Sequence, residues 1–411
     1  SAGHLIVVTT AGSIETQLAG GALSAAGNLL MQAGGLTSDL TLGAVVSNTA
    51  GATSLKAGRA LVQNANITAS GNGTVDARAA TSIGMADGVL TSSASGNIRY
   101  AAGSTLTLGA LSTTGNVSLS ASSITDSGTS GTTDVTANEL RLVTMGTASG
   151  NGAGTASNHL KLNVSKLAAS VLGAGGLYVT EANDLVIGTL SAINVNGVNA
   201  DGTVTATTDA AQSNLTSAGH LIVVTTAGSL QTLAAGGAVS AAGDLLVQAG
   251  AITLGAAVSN TAGSSRVNAA GSIVQNANIT ASGAGQSIDL MATGAITMGQ
   301  GATTASANGA VSLNAVTGDI TVETLDAGTA KVQVTAQAGS ILDRADSGAV
   351  DITAGALMLS AGNSIGNVGN ALELSVDTLS ASAGAGGLYV LESDGLAIGS
   401  VAVTGEGAVQ V

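Results

Sequence analysis

One pattern governs this chain: a glycine or turn residue, then aliphatic-x-aliphatic-x-Ala, returning about every 21 residues. "GNVSLSA" at Gly115 places Val117, Leu119 and Ala121 on one side and Ser118 on the other. "GNIRYAA" at Gly96 does the same with Ile98 and Tyr100 around Arg99, and "GAVSLNA" at Gly309, "AKVQVTA" at Ala330 and "GAVDITA" at Gly348 repeat it. Strict alternation marks a strand with one buried face. Gly27, Gly51, Gly73, Gly96 and Gly115 mark successive starts, as do Gly243, Gly263, Gly285, Gly309, Gly328 and Gly348. Further aliphatics in "GSI" or "SSI" contexts (Ile83, Ile124, Ile273, Ile341) and runs such as "LTLGAL" at Leu106 add two more short strands per unit. Gly and Asn are expected at the corners because they tolerate positive φ.

Three short strands in about 21 residues cannot cover their own flanks. They can if each unit stacks on the next, every strand pairing in parallel with its copy above. The expected fold is all-β: a parallel β-solenoid, specifically a right-handed β-helix of three faces. At about 4.8 Å per coil, 19 or 20 coils would make a rod on the order of 90 Å long. Only one window, "TANELRLVTM" at Thr136, has helical character, and a strand is the preferred reading there.

A longer repeat overlies the short one. "SAGHLIVVTTAGS" at Ser1 returns at Ser217, "VQNANITASG" at Val62 returns at Val274, and "GAGGLYV" at Gly173 returns at Gly384. Two blocks, 1–216 and 217–411, are therefore expected to run on as one solenoid. A fold that grows by adding coils can be duplicated without remaking its core.

Composition agrees. The chain has 411 residues with 60 Gly, no Pro, Cys, Trp or Phe, and three Tyr, so its core must be a narrow aliphatic column. The formal charge of −14, from 24 acidic and ten basic residues, speaks against nucleic acid and anionic lipid as partners. No stretch reads as a membrane helix, and three Tyr cannot supply the aromatic girdles of a membrane barrel, so membrane insertion is not expected. Ser1 falls inside a repeat, so the chain reads as part of something longer. Uncapped coil ends would invite end-to-end self-association.

Gly-bounded coils carrying "AGSI", "GNVSLSA" and "TLGAL", poor in Cys and aromatics, resemble the shafts of filamentous-haemagglutinin-like exoproteins, large β-helical bacterial adhesins secreted by two-partner or autotransporter routes. The resemblance covers essentially the whole chain. It implies a secreted or cell-surface location, a non-enzymatic structural role in adhesion, and a host or neighbouring-cell surface or matrix as partner. Two other readings stand beside it: a subunit of an extracellular fibre, sheath or surface layer, and a polysaccharide-binding or polysaccharide-cleaving β-helix.

Sites are sparse. "LDRAD" offers Asp343, Arg344 and Asp346; "TEAND" offers Glu181 and Asp184, echoed by Glu392 and Asp394 in "LESDG". Solvated corner residues with local pairing is the preferred reading; an ion or catalytic site is the alternative. His4, His220 and His159 have no Cys or second His nearby, so no metal site, cofactor or catalytic residue is assigned. "GAGG" at Gly173 and Gly384 reads as a tight corner. The Thr run at Thr203 is too irregular for a flat Thr ladder. Asn64, Asn66, Asn276 and Asn278, in the duplicated "VQNANIT", are candidates for a structural ladder of stacked side chains.

Overall fold

The computed structural model describes residues 1–128, 131–345, 348–405 and 407–411. Among them there is no helix: parallel strands stack as a β-solenoid of about 17 turns, with coils about 23 residues apart. The coils are slightly longer, and so fewer, than the sequence spacing implied. The chain divides into two compact units, Ser1–Gly219 and His220–Val411.

In the first unit a typical coil is Thr53–Ala57, Leu61–Gln63 and Ile67–Ala69. The next is Val75–Ala79, Ile83–Met85 and Leu90–Ser93. Each strand pairs in parallel with its counterpart one coil on. Alternation sends one set of side chains inward. Met31, Leu55, Ala77, Tyr100, Leu119 and Leu142 stand one above another in register, each at most 1% exposed. Tyr100 fits because its neighbour below is Ala77. Its hydroxyl donates to Gln63 Oε1 at 2.7 Å and lies 2.7 Å from Thr91 Oγ1, so the one polar atom of the core aromatic is satisfied.

The second unit repeats the plan. Val223, Val247, Val267, Leu290, Leu313, Val334 and Leu359 form its inward column, none more than 3% exposed. Gln275 takes the place of Gln63, accepting from Thr304 Oγ1 at 3.0 Å.

The window at Thr136 is a strand, as expected, but two features go beyond the sequence reading. The window at Thr136 is part of a ten-residue strand, Val135–Thr144, which joins the third strand of one coil to the first of the next without a corner. In the first unit the chain also leaves the coil after Leu185–Ile187 to form an antiparallel hairpin, Ile193–Val198 with Val204–Asp209. The Thr run at Thr203 belongs to this hairpin.

Candidate functional site: a charged cleft beside the hairpin

The hairpin lies over the outward face of the first-position strands. Ile6, Leu30, Ser54, Asp76, Arg99, Ser118 and Arg141 form one outward column. In an uncovered solenoid all of these would be wet. Here Leu30, Ser54, Asp76 and Ser118 are 0% exposed. Val198 packs on Leu30 and Ala52, with Ile6 at the edge. Its amide donates to Ser54 Oγ at 2.8 Å, and its carbonyl accepts from Lys56 Nζ at 2.7 Å. Further along, Thr74 Oγ1 accepts the amide of Asn196 (2.9 Å), and Asn97 Nδ2 donates to the Asn194 carbonyl (2.9 Å).

Charge ties down the base of the hairpin. Asp76 receives Arg78 at 2.6 Å and Arg99 at 3.1 Å. Arg99 Nε also donates to Asp209 Oδ2 at 2.9 Å, and Ser118 Oγ donates to the same oxygen at 2.6 Å. Arg141 donates to the Ala210 carbonyl at 3.1 Å. A buried carboxylate is tolerated only when paired and hydrogen-bonded, and Asp76 is both. Burial works against the charge on Arg99, but Asp209 and Asp76 outweigh it and raise its pKa. Burial lowers Lys56, with Arg78 adding repulsion, and burial lowers Arg141, with Arg99 adding to it.

Beside this network opens a cleft of about 620 Å³, lined by Lys56, Arg78, Arg99, Arg141 and Asp209 with alanines and Val143 as its apolar floor. Four cations face two carboxylates, Asp76 and Asp209, so a locally positive site sits on an acidic protein. The sequence reading missed it. Its residues come from four coils and a hairpin whose strand alternation looks like any other, and only the 22-residue register between Lys56 and Arg78 hinted at a basic row, Arg99 standing in register with Asp76 one column over.

The residues singled out from sequence fall elsewhere. Asn66 Oδ1 accepts the amide of Leu90 at 2.9 Å, and Asn278 Oδ1 that of Thr303 at 3.0 Å, so each binds backbone one coil on. Asn64 and Asn276 are exposed corner residues. Asparagine side chains meet at other positions, where Asn138 Nδ2 donates to Asn116 Oδ1 at 3.2 Å. His4 and His220 act alike: each Nδ1 accepts an amide from the next coil, that of Asn28 (2.8 Å) and of Asp244 (3.0 Å). His159 lies 2.9 Å from Thr180 Oγ1 and tilts against Tyr178; burial, then Lys161, lowers its pKa.

Two acidic residues expected to be solvated, Glu181 and Asp343, are buried. Glu181 is 0% exposed and accepts the amides of Val164, Ala182 and Asn183, closing a strand end; burial pushes its pKa up. Glu392 likewise accepts the amide of Ser393 at 3.0 Å, while Asp184 and Asp394 are exposed. Asp343 is only 7% exposed, and burial raises it. Arg344 Nε approaches Glu323 at 3.7 Å. Asp346 lies outside the described residues. "GAGG" forms the expected corner: Gly176 and Gly387 hold φ of 87° and 88°.

Compared with family models, with curated proteins and with solved structures, the chain matches none.

Proposed function

We infer that this chain is a structural shaft segment of a secreted or cell-surface bacterial adhesin, without enzymatic activity. The observation that carries the reading is the register itself. Coil after coil pairs strand on like strand over an aliphatic column, an arrangement that supplies length and stiffness rather than a closed active site. Negative-stain electron microscopy of the purified chain tests it: thin rods are expected, and compact particles would overturn it. Display of the chain on a non-adherent bacterial surface tests the adhesive context, with adherence to host-cell matrix as the readout.

The cleft favours a second reading, in which the same shaft binds an acidic polysaccharide. Lys56, Arg78, Arg99 and Arg141 lie along one face, and their charge exceeds that of Asp76 and Asp209. A sulfated or uronic-acid polymer should then bind at low salt. Arg141→Glu should weaken that binding about tenfold or more, because it reverses a charge beside the cleft. Unchanged binding by this variant would remove the reading.

A further inference from the structure

Both units build the same corner, but they fill one position with opposite charge. In the first unit Asp126 Oδ1 accepts the amide of Gly128 at 2.9 Å. Asp134 Oδ2 accepts the amide of Lys161 at 2.7 Å, and the amide of Asp134 donates to the Lys161 carbonyl at 2.8 Å. The Lys161 side chain turns back into the corner. Its Nζ donates to Asp126 Oδ2 at 2.7 Å and to Asn158 Oδ1 at 3.2 Å. One ammonium thus sits against a carboxylate and an amide oxygen, with Asp134 alongside.

The second unit keeps the framework. Asp343 Oδ1 accepts the amide of Ala345 at 3.0 Å, Asp351 Oδ2 accepts the amide of Glu373 at 2.9 Å, and the Asp351 amide donates to the Glu373 carbonyl at 2.8 Å. Asn370 stands where Asn158 stood, three residues before the changed position. That position, Lys161 in the first unit, is Glu373. An ammonium has been replaced by a third carboxylate.

The geometry that results is unbalanced. Asp343, Asp351 and Glu373 each offer an oxygen, all within 4.8 Å of one another, and the three residues are 7%, 4% and 9% exposed. Among the described residues, Asp343 Oδ2, the counterpart of the oxygen that Lys161 binds, has no hydrogen-bond partner; nor has Glu373 Oε2 or Asn370 Oδ1. Buried carboxylate oxygens of this kind are costly unless a proton or a cation joins them.

We propose that the corner formed by Asp343, Asp351 and Glu373 binds a divalent metal cation, Ca²⁺ by its chemistry, in the place the Lys161 ammonium holds in the first unit. Every donor is oxygen, which suits hard cations and not zinc or copper. Carboxylates with an adjoining amide oxygen match the larger, adaptable shell of Ca²⁺ better than the strict octahedron of Mg²⁺.

The test uses the full chain stripped with EDTA and titrated with CaCl₂ by calorimetry, with thermal melts in parallel. One Ca²⁺ per chain is expected, with Tm higher by roughly 3–5 °C at about 1 mM CaCl₂ than in EDTA. Glu373→Lys should restore the first unit's arrangement: the Ca²⁺ response is lost, while Tm in EDTA exceeds that of the wild type. Asp343→Asn should weaken binding at least tenfold, and it decides the matter should the lysine variant not fold. The proposal is overturned by no heat and no Tm shift up to about 5 mM CaCl₂, which would leave a shared proton as the occupant. It is overturned equally by a wild-type response in either variant.

Discussion

At the scale of single residues, two features bear on stability, stacked glycines that hold it and one buried carboxylate that reduces it. Gly51, Gly73 and Gly96 are not corner residues with positive φ. They stack coil on coil, so that a Cβ on Gly96 would overlap the carbonyl of Gly73, and one on Gly73 that of Gly51. Their spacing was legible, but the reason for it was not, because the reason is the approach of the next coil. Gly96→Ala should cost about 1–3 kcal/mol by urea denaturation. Gly84→Ala, where a Cβ meets open space, should be close to neutral. The second feature is Asp134, which acts the other way. It is 1% exposed, its Oδ1 has no partner among the described residues, and burial pushes its pKa up to about 7, with the Asp126 carboxylate adding to the rise and Lys161 opposing it. A folded pKa above the unfolded value means that ionisation costs stability. The loss begins above about pH 4 and is complete once pH passes about 7. Asp134→Asn keeps an acceptor for the Lys161 amide and removes that loss. It should gain on the order of 2 kcal/mol over wild type at pH 8 and much less at pH 4.5, read from urea curves at each pH.

At the scale of elements, the coil strands were legible because a period of two with small inward Ala leaves little choice. Partner direction was not. Ile193–Val198 alternates as the coil strands do, yet it pairs antiparallel and crosses the solenoid face. The same blindness hid the burial of Leu30 and Asp76, which face outward by strand parity and are covered only because the hairpin lies over them. Of the corner carboxylates the sequence pattern exposes only Asp343 and reads it as solvated, since Asp351 and Glu373 approach it only through register between successive coils. Asp209 is the hairpin's charged anchor. Asp209→Ala leaves Arg99 with Asp76 alone, and should cost about 3 kcal/mol. Replacing residues 191–211 with a short Gly-Ser link should uncover Leu30 and Ser54, and a rise in ANS fluorescence over wild type is the expected readout.

At the scale of the whole molecule, charge is unevenly shared. The first unit holds seven Lys and Arg against eleven Asp and Glu; the second holds three against thirteen, so the net values are −4 and −10. Self-repulsion should therefore concentrate after residue 219. Lowering ionic strength from about 0.5 M to about 0.01 M NaCl should speed hydrogen exchange in the second unit more than in the first, measured by mass spectrometry of peptides. The hairpin bears on how the first unit fails. Stacked coils with only nearest-neighbour bonds can fray from an end, one rung at a time. A ribbon fastened at Asn28, Ser54, Asn97 and Ser118 spans those rungs, so no single rung in its reach can open without stripping part of the ribbon away. Melting there becomes a collective event, and a repeat array acquires the all-or-none unfolding of a compact domain.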